Sequence, residues 1–373
     1  MKIIFAGDIN FRDKELTYGE SLDILSEVQP YIKAVDFVIP NLECPLADKE
    51  RHKAIKKAGP NLICTPKNIL FLNAMNAYAV TLANNHIGDF GEGAICDTLD
   101  LLKENKILYA GAGRNINEAY NAFYIKKEGI CISVLSICEN EFGIASETKY
   151  GSAGYNPRFL LNKIKAEKNV SDYVIVVFHG GNEFDPLPSP DTVDRYRMIC
   201  DMGADAVIGG HTHCPQGYEI YNGKPIIYSM GNFLFESSTE RKENDSWYYG
   251  YMCILEIKDT IHVQIVPYRF NKEATKIHIF EGTDKEKFIE YIDSLSKIIK
   301  KPQELKDYFS GWAYLHRWCP VLSEDNSCEN YDLVSCESHL SQLKENLRIL
   351  YRDEIQGAID FSEKIIKLQD MPI

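Results

Sequence analysis

The sequence predicts an α/β protein with mixed sheets and a helical tail, on three observations. Over the first two-thirds of the chain, short β-branched runs alternate with stretches of helical spacing. An Asn222-Gly223 pair then stands between two alternating runs, the mark of a β-hairpin and so of antiparallel pairing. From about residue 284 to the end the chain is charged and helical in pattern.

In chain order, KIIFAG opens as a strand, DFVIP and AVTLA follow, and then come ILYAG, ICISVLSI, DYVIVVF and ADAVIG. Each run is short, rich in β-branched residues and bounded by Gly, Asn or Asp. Between them LDILSEVQPYIKAV, GEGAICDTLDLLKEN and PDTVDRYRMICDMG carry helical spacing, and Gly203 is a helix stop for the third. GYEIYNGKPIIYSM is the hairpin, and YMCILEIKD and IHVQIVPYRF read as further antiparallel strands. The layout divides into an α/β domain over 1–283 and a helical extension over 284–373, packed on the core or on a second subunit of a homodimer.

Bulk properties exclude several function classes. At 373 residues, 45% hydrophobic and 25% charged, the composition is that of a globular protein. No apolar run reaches the ~18 residues of a membrane span, and the first residues read as a strand rather than a secretory signal. Eleven cysteines without a CxxC pair read as reduced thiols, which with the missing leader predicts a cytoplasmic protein. A net charge of −13 offers no basic face for nucleic acid.

The polar residues at strand ends carry the chemistry. IIFAGDIN ends with Asp8 and Asn10, DFVIPNLE with Asn41 and Glu43, and AVTLANNH with Asn84, Asn85 and His86. VIVVFH ends with His179, and ADAVIGGHTH with His211 and His213. Loops at strand carboxyl ends are where open α/β sheets build ligand sites. Carboxylate, carboxamide and imidazole together suit Mn, Fe, Zn or Mg rather than a thiolate-selective ion. Each fragment alone is ordinary turn chemistry; their joint placement at strand ends is not. The other histidines, His52, His262, His278, His316 and His339, are scattered and read as surface or packing residues.

The order GD, E, NNH, a lone His and GHxH resembles the calcineurin-like metallophosphoesterases. More closely, GDINF, NLECPL, LANNHIGDFGEGAICDTLDLLKENKILYAGAG, HGGNEF and GGHTHCPQGYEIYNGKPIIYSMGNFLF resemble the bacterial capsule-synthesis or poly-γ-glutamate-synthesis (CapA-like) branch, over roughly residues 1–257. The resemblance implies a four-layer αββα sandwich and two divalent cations. It assigns Asp8, Glu43 and His213 to one cation and Glu43, Asn85, His179 and His211 to the other, with Glu43 bridging and His86 free to face the substrate as acid or base. Asn10 stands where phosphoesterases place a histidine, and Gly180 stands where the family often has a tryptophan. Two cations ~4 Å apart can polarise a shared water, clamp an oxyanion and leave leaving-group protonation to an imidazole.

The resemblance therefore implies a metal-dependent hydrolase, cutting a phosphoester or a peptide or glutamyl amide in an anionic small-molecule, peptide or polymer substrate. A metal-dependent peptide epimerase and a non-catalytic scaffold of a polymer-synthesis complex are the alternatives. Asn10, Asn84, Asp89 and Glu183 are further candidates, as ligands or as groups that orient one; for Asp89 the alternative is a helix cap, for Glu183 a solvated loop. Cys44 and Cys214 read as buried filler, and Arg195 and Arg197 as a solvated helix face. GWAYLHRWCPV, 311–321, reads as core packing, a wall of the cleft or a dimer face, and the stripe Leu340, Leu343, Leu347 and Leu350 as the buried face of a terminal helix.

Overall fold

The computed structural model describes residues 1–317 and 334–373. Strand β1 (Lys2–Asn10) is buried from Ile3 onward. The helical stretch expected over 22–35 is two helices, α1 (Tyr18–Ile24) and α2 (Gln29–Lys33). A reciprocal cap between Thr17 and Glu20 starts the first one early, and Pro30 fits only near a helix start, so it begins the second. The chain continues through β2 (Phe37–Leu42), α3 (Ile69–Ala74), β3 (Ala79–Thr81), α4 (Gly91–Glu104), β4 (Leu108–Ala110), β5 (Ala112–Gly113), α5 (Ile116–Ala119) and β6 (Phe123–Lys127). Next come β7 (Ile130–Cys138), β8 (Gly151–Ser152), α6 (Pro157–Glu167), β9 (Tyr173–His179), α7 (Pro190–Asp201) and β10 (Ala206–Gly210). Then follow β11 (Tyr218–Tyr221), β12 (Lys224–Ile227), β13 (Asn232–Phe235), β14 (Tyr249–Ile257), β15 (Ile261–Phe270) and β16 (Ile277–Ile279), of which β11-β12 and β14-β15-β16 pair antiparallel. The tail is α8 (Gly282–Ile299), α9 (Pro302–Leu315), α10 (Glu337–Tyr351) and α11 (Ile355–Gln369).

The fold is mixed α/β, as expected. One eight-stranded sheet runs β16-β15-β14-β1-β2-β3-β4, with β13 also paired to β1; a six-stranded sheet runs β11-β12-β10-β9-β7-β6. In the first, parallel β1-β2-β3-β4 run to one edge and antiparallel β14-β15-β16 to the other; in the second, parallel β12-β10-β9-β7 lie between antiparallel edge strands, so β1 and β2 point their carboxyl ends the same way, as do β9 and β10. The sheets face each other, β1 against β10 and β12 against β15. Gly7 is required by this packing: a Cβ there would stand 1.9 Å from the carbonyl oxygen of Gly231, where β13 joins β1.

One hydrophobic core runs from Ile3 to Met371 and takes in α8, α9 and α11 through Phe288, Leu295, Trp312 and Ile365. Burying side chains such as Phe288, Ile292 and Leu295, each 0% exposed, is worth ~1.5–3 kcal/mol apiece. A chain ending at residue 283 would bare the surface they cover. Such a chain is expected to lose near-ultraviolet circular dichroism and to bind a hydrophobic dye; a monodisperse fragment that melts cooperatively would overturn this.

Helix α10 departs from expectation. Its leucine stripe is not buried: Leu340 and Leu343 are half-buried, and Leu347 is 57% and Leu350 61% exposed. The buried face is instead polar: Ser338, Ser341, Gln342, Glu345 and Asn346, with Ile349. The reason is what it packs on. Ser341 donates to Asp191 Oδ2 at 2.7 Å, Gln342 Nε2 to the His316 carbonyl at 2.5 Å, and Ser310 to Glu345. The helix docks through hydrogen bonds onto polar groups of α7 and the end of α9 rather than through an apolar stripe.

Candidate metal centre

The strand ends bring the expected residues into one place. Strand register aligns Asp8 with Asn41 of β2 and Asn232 of β13, and His179 with Gly210 of β10. A bulge in β1 at Asp8 turns its carboxyl out of the ladder. Beyond β10 the chain adopts left-handed backbone at two non-glycine residues, His211 (φ 86°) and His213 (φ 56°). Such conformations cost ~1–3 kcal/mol and persist where the surroundings enforce them. Here the His211 amide donates to Asp8 Oδ2 at 3.0 Å, and His213 Nδ1 meets Asn232 Oδ1 at 2.8 Å.

Two triads result, Asp8-Glu43-His213 and Glu43-His179-His211, in each of which the ligand atoms lie within 4.8 Å of one another. Glu43 belongs to both. His179 Nε2 is 3.5 Å and His213 Nε2 3.7 Å from its Oε1, and the His211 and His179 ring nitrogens approach to 3.1 Å. Asn85 Oδ1 is 3.2 Å from His179 Nε2, so the carboxamide expected at the second triad is present there. Asn41 Nδ2 donates to Asp8 Oδ1 at 2.7 Å and lies 3.3 Å from His179 Nδ1, which ties the two triads together.

The electrostatics of this cluster fit a cation. Both oxygens of Glu43 are fully buried and have no hydrogen-bond partner among the described residues. Glu43 also lies within 4.8 Å of the Asp8 carboxyl. Burial, and then the neighbouring carboxylate Glu183, pushes Glu43 well above the usual glutamate range. Burial and Glu43 raise Asp8 to about 7. Burial lowers His179 to about 4 and His213 to about 3, and pushes His211 well down. Neutral imidazoles and reluctant carboxyls are what an approaching divalent ion needs and reverses: it takes neutral histidine and favours ionised carboxylate. The donor set is hard and borderline, with no thiolate among these ligands.

His86 stands apart from both triads. Its Nδ1 is 2.6 Å from Asp89 Oδ2 and 3.1 Å from Lys57 Nζ, and Lys57 pairs with Asp89 Oδ1 at 2.6 Å. Burial, then Lys57, lowers His86 to about 4. Asp89 is fully buried and bonded to His86, and the N-cap of α4 is Phe90 rather than Asp89. Asn84 shapes the loop, donating to the Leu42 carbonyl and accepting from the His86 and Ile87 amides. Asn10 lies beside Glu43, but its carboxamide is engaged by the Glu43 carbonyl and the Arg12 amide. Glu183 is half-buried and lines a cavity with Glu141, Asn85 and His86 rather than a solvated loop.

Several residues correct the sequence reading. Arg195 is not on a solvated face: it is buried and paired with Glu139. Arg197 grips Glu219 with two bonds, at 2.8 and 2.9 Å. His316, exposed and stacked on Trp312 in keeping with a surface or packing residue, and half-buried His339 also line the cavity that holds His86. Of the 311–321 stretch, Trp312 is a wall of that cavity, and residues 318–321 lie outside the described residues. Cys44 and Cys214 are buried, as expected. Gly180 follows His179 because Glu139 fills the space a side chain would take, 2.5 Å from its Cβ position. Lys57 and Glu141 carry no signal in the sequence. Lys57 sits in a loop with two other lysines, and nothing in the local pattern sets it apart.

Among the described residues, no helix is long and apolar enough to cross a membrane. The profile of the bacterial capsule synthesis protein PGA_cap matches residues 2–237, which hold every residue of both triads. The capsule biosynthesis protein CapA of Bacillus anthracis is 31% identical over 231 residues, 60% of this chain and 56% of its own. The PGA biosynthesis protein CapA of Bacillus subtilis (strain 168) is 29% identical over 248 residues, 65% of each chain. The chain therefore spans 56–65% of the length of these curated relatives. A phosphatase of Mycoplasma pneumoniae superposes with a TM-score of 0.43 at 15% identity, over 74% of this chain and 90% of that one.

Proposed function

The chain belongs to the bacterial capsule synthesis protein family, and we propose that it is a divalent-metal-dependent hydrolase in capsule or poly-γ-glutamate metabolism, acting on a phosphoester or a peptide or glutamyl amide. The observation that carries this reading is the Glu43 carboxylate, buried, unpartnered and common to two triads. Asp8, Glu43 and His213 would hold one ion, and Glu43, Asn85, His179 and His211 a second. Bound Mn, Fe or Zn would supply Lewis acidity and a water acidic enough to ionise near neutral pH.

The chain's own residues supply the rest. Asn41 and the His211 amide fix the Asp8 carboxyl, and Asn232 fixes the His213 ring. Strand ends and enforced backbone, rather than flexible side chains, set these positions, which is what a preorganised site requires. Asp89 holds His86 through Nδ1, which leaves Nε2 as the atom that exchanges a proton with the substrate.

Purified protein loaded with Mn, Fe or Zn is expected to hold at least one equivalent by elemental analysis. His86→Ala is expected to keep that metal and lose turnover on the phosphoesters or glutamyl amides that the intact protein cleaves. Loss of metal from His86→Ala equal to that from His211→Ala would overturn the division of roles. Deuterium uptake from solvent into a peptide, without cleavage, would replace hydrolysis by epimerisation.

A further inference from the structure

Beside the metal centre, a cavity of about 360 Å³ opens over Asn85 and His86. Its near wall comes from the α/β core, and its far wall is Trp312 of α9 with His339 and Gln342 of α10. Among the described residues, three buried polar atoms lining it have no hydrogen-bond partner: Asn182 Oδ1, Trp312 Nε1 and His339 Nδ1. Asn182 is 3% and Trp312 4% exposed. An orphaned buried polar atom costs ~1–3 kcal/mol, and native structures rarely keep one without a reason. Three around one cavity, next to the proposed reaction centre, point to a ligand that satisfies them.

Their chemistry defines that ligand. An indole N–H only donates, so Trp312 requires an acceptor. Asn182 Nδ2 donates to the Ser338 carbonyl at 3.4 Å, which leaves its oxygen as the free end and requires a donor. An uncharged amide offers one acceptor and one donor together. A carboxylate or phosphate offers only acceptors and would leave the Asn182 oxygen without a donor. The lysine there, Lys57, is already paired with Asp89 and lies over the Phe142 ring, 4.5 Å from its centre. His316 stacks on Trp312 at 4.6 Å and holds the indole plane.

We infer that this cavity is a substrate subsite for an uncharged peptide-type amide, with Trp312, Asn182 and His339 as its specificity-determining residues. The inference rests on the hydrolase reading above, since it names the flank of the substrate that this centre would act on. It also gives the tail helices a role: they complete the cleft, and Trp312 and His339 lie beyond the residues 2–237 that the family profile matches.

The test follows the Trp312 indole N–H by nuclear magnetic resonance in the full-length, zinc-loaded protein, with the signal assigned through Trp312→Phe. Acetyl-glycyl-glycinamide is expected to shift this signal saturably, and triglutamate and inorganic phosphate are not. Trp312→Phe and His339→Phe, the second variant guarding against a folding defect in the first, are expected to weaken peptide binding about tenfold with zinc content unchanged. A shift by triglutamate or phosphate in place of the neutral peptide, or wild-type peptide affinity in both variants, overturns the subsite. Zinc binding and hydrolysis without peptide binding at Trp312 sinks the subsite alone. Peptide binding at Trp312 in a protein that hydrolyses nothing upholds the subsite and sinks the hydrolase reading.

Discussion

Replacing Glu43 with glutamine is expected to empty both triads in one step. The change is nearly isosteric and touches no hydrogen bond, because neither oxygen of Glu43 makes one. What it removes is the charge that two ions would share. Bound metal should fall from at least one equivalent to less than a tenth, and turnover to background. Folding should not suffer. A fully buried carboxyl that ionises only with difficulty carries a desolvation cost that the amide lacks, so without metal the variant should melt at or above the wild-type temperature. Added zinc or manganese should then raise the melting temperature of the wild type only, since a ligand stabilises the form that binds it. Stoichiometric metal in Glu43→Gln, or a clear loss of metal-free stability, would overturn the assignment of Glu43 as the shared ligand.

The parts of this centre that are legible in the sequence have a common property. Asp8, Glu43, Asn85, His179, His211 and His213 each lie at or just beyond the carboxyl end of a short apolar run, so strand periodicity by itself locates them. The residues that support them lack such a marker. Lys57 reaches His86 from a loop 29 positions away, and Asn182 meets Ser338 across 156. Contacts of that separation leave no local pattern. The reversed face of α10 has a related cause: hydrophobic spacing identifies which residues share a face, but the partner decides which face is buried, and here the partner is polar. Strand β6 and helix α6 are faint in the sequence for local reasons, since β6 alternates with lysines at an edge and α6 is short.

Arg195 is the clearest case of a residue whose role only the fold discloses, and its loss should be costly. Its guanidinium is buried against Glu139, which also accepts from the Gly181 amide at 3.2 Å and from the Cys336 thiol at 3.3 Å. Burial alone would raise Glu139; the guanidinium, together with bonds from Ser338, Gly181 and Cys336, outweighs it, and the carboxyl sits below the usual glutamate range. Arg195→Met leaves that carboxylate buried with its cation gone, which typically costs ~3–5 kcal/mol. The double variant Arg195→Met with Glu139→Leu removes both charges and should recover most of the loss. The pH dependence has a definite sign. Without Arg195, burial raises the folded-state value of Glu139 above its unfolded value, so the defect is absent where both states are protonated and grows as pH rises through the unfolded value. The wild type behaves oppositely: its depressed Glu139 contributes stability above the unfolded value and loses it as pH falls. The pair also bears on the metal centre, because the Glu139 amide donates to the His179 carbonyl and its carboxylate holds the turn that leads to Asn182. Metal affinity in Arg195→Met should therefore fall by roughly 10–100-fold, the usual effect of losing an outer support. A double variant no more stable than the single one, or a defect that deepens in acid, would show that Arg195 acts by packing and not by charge.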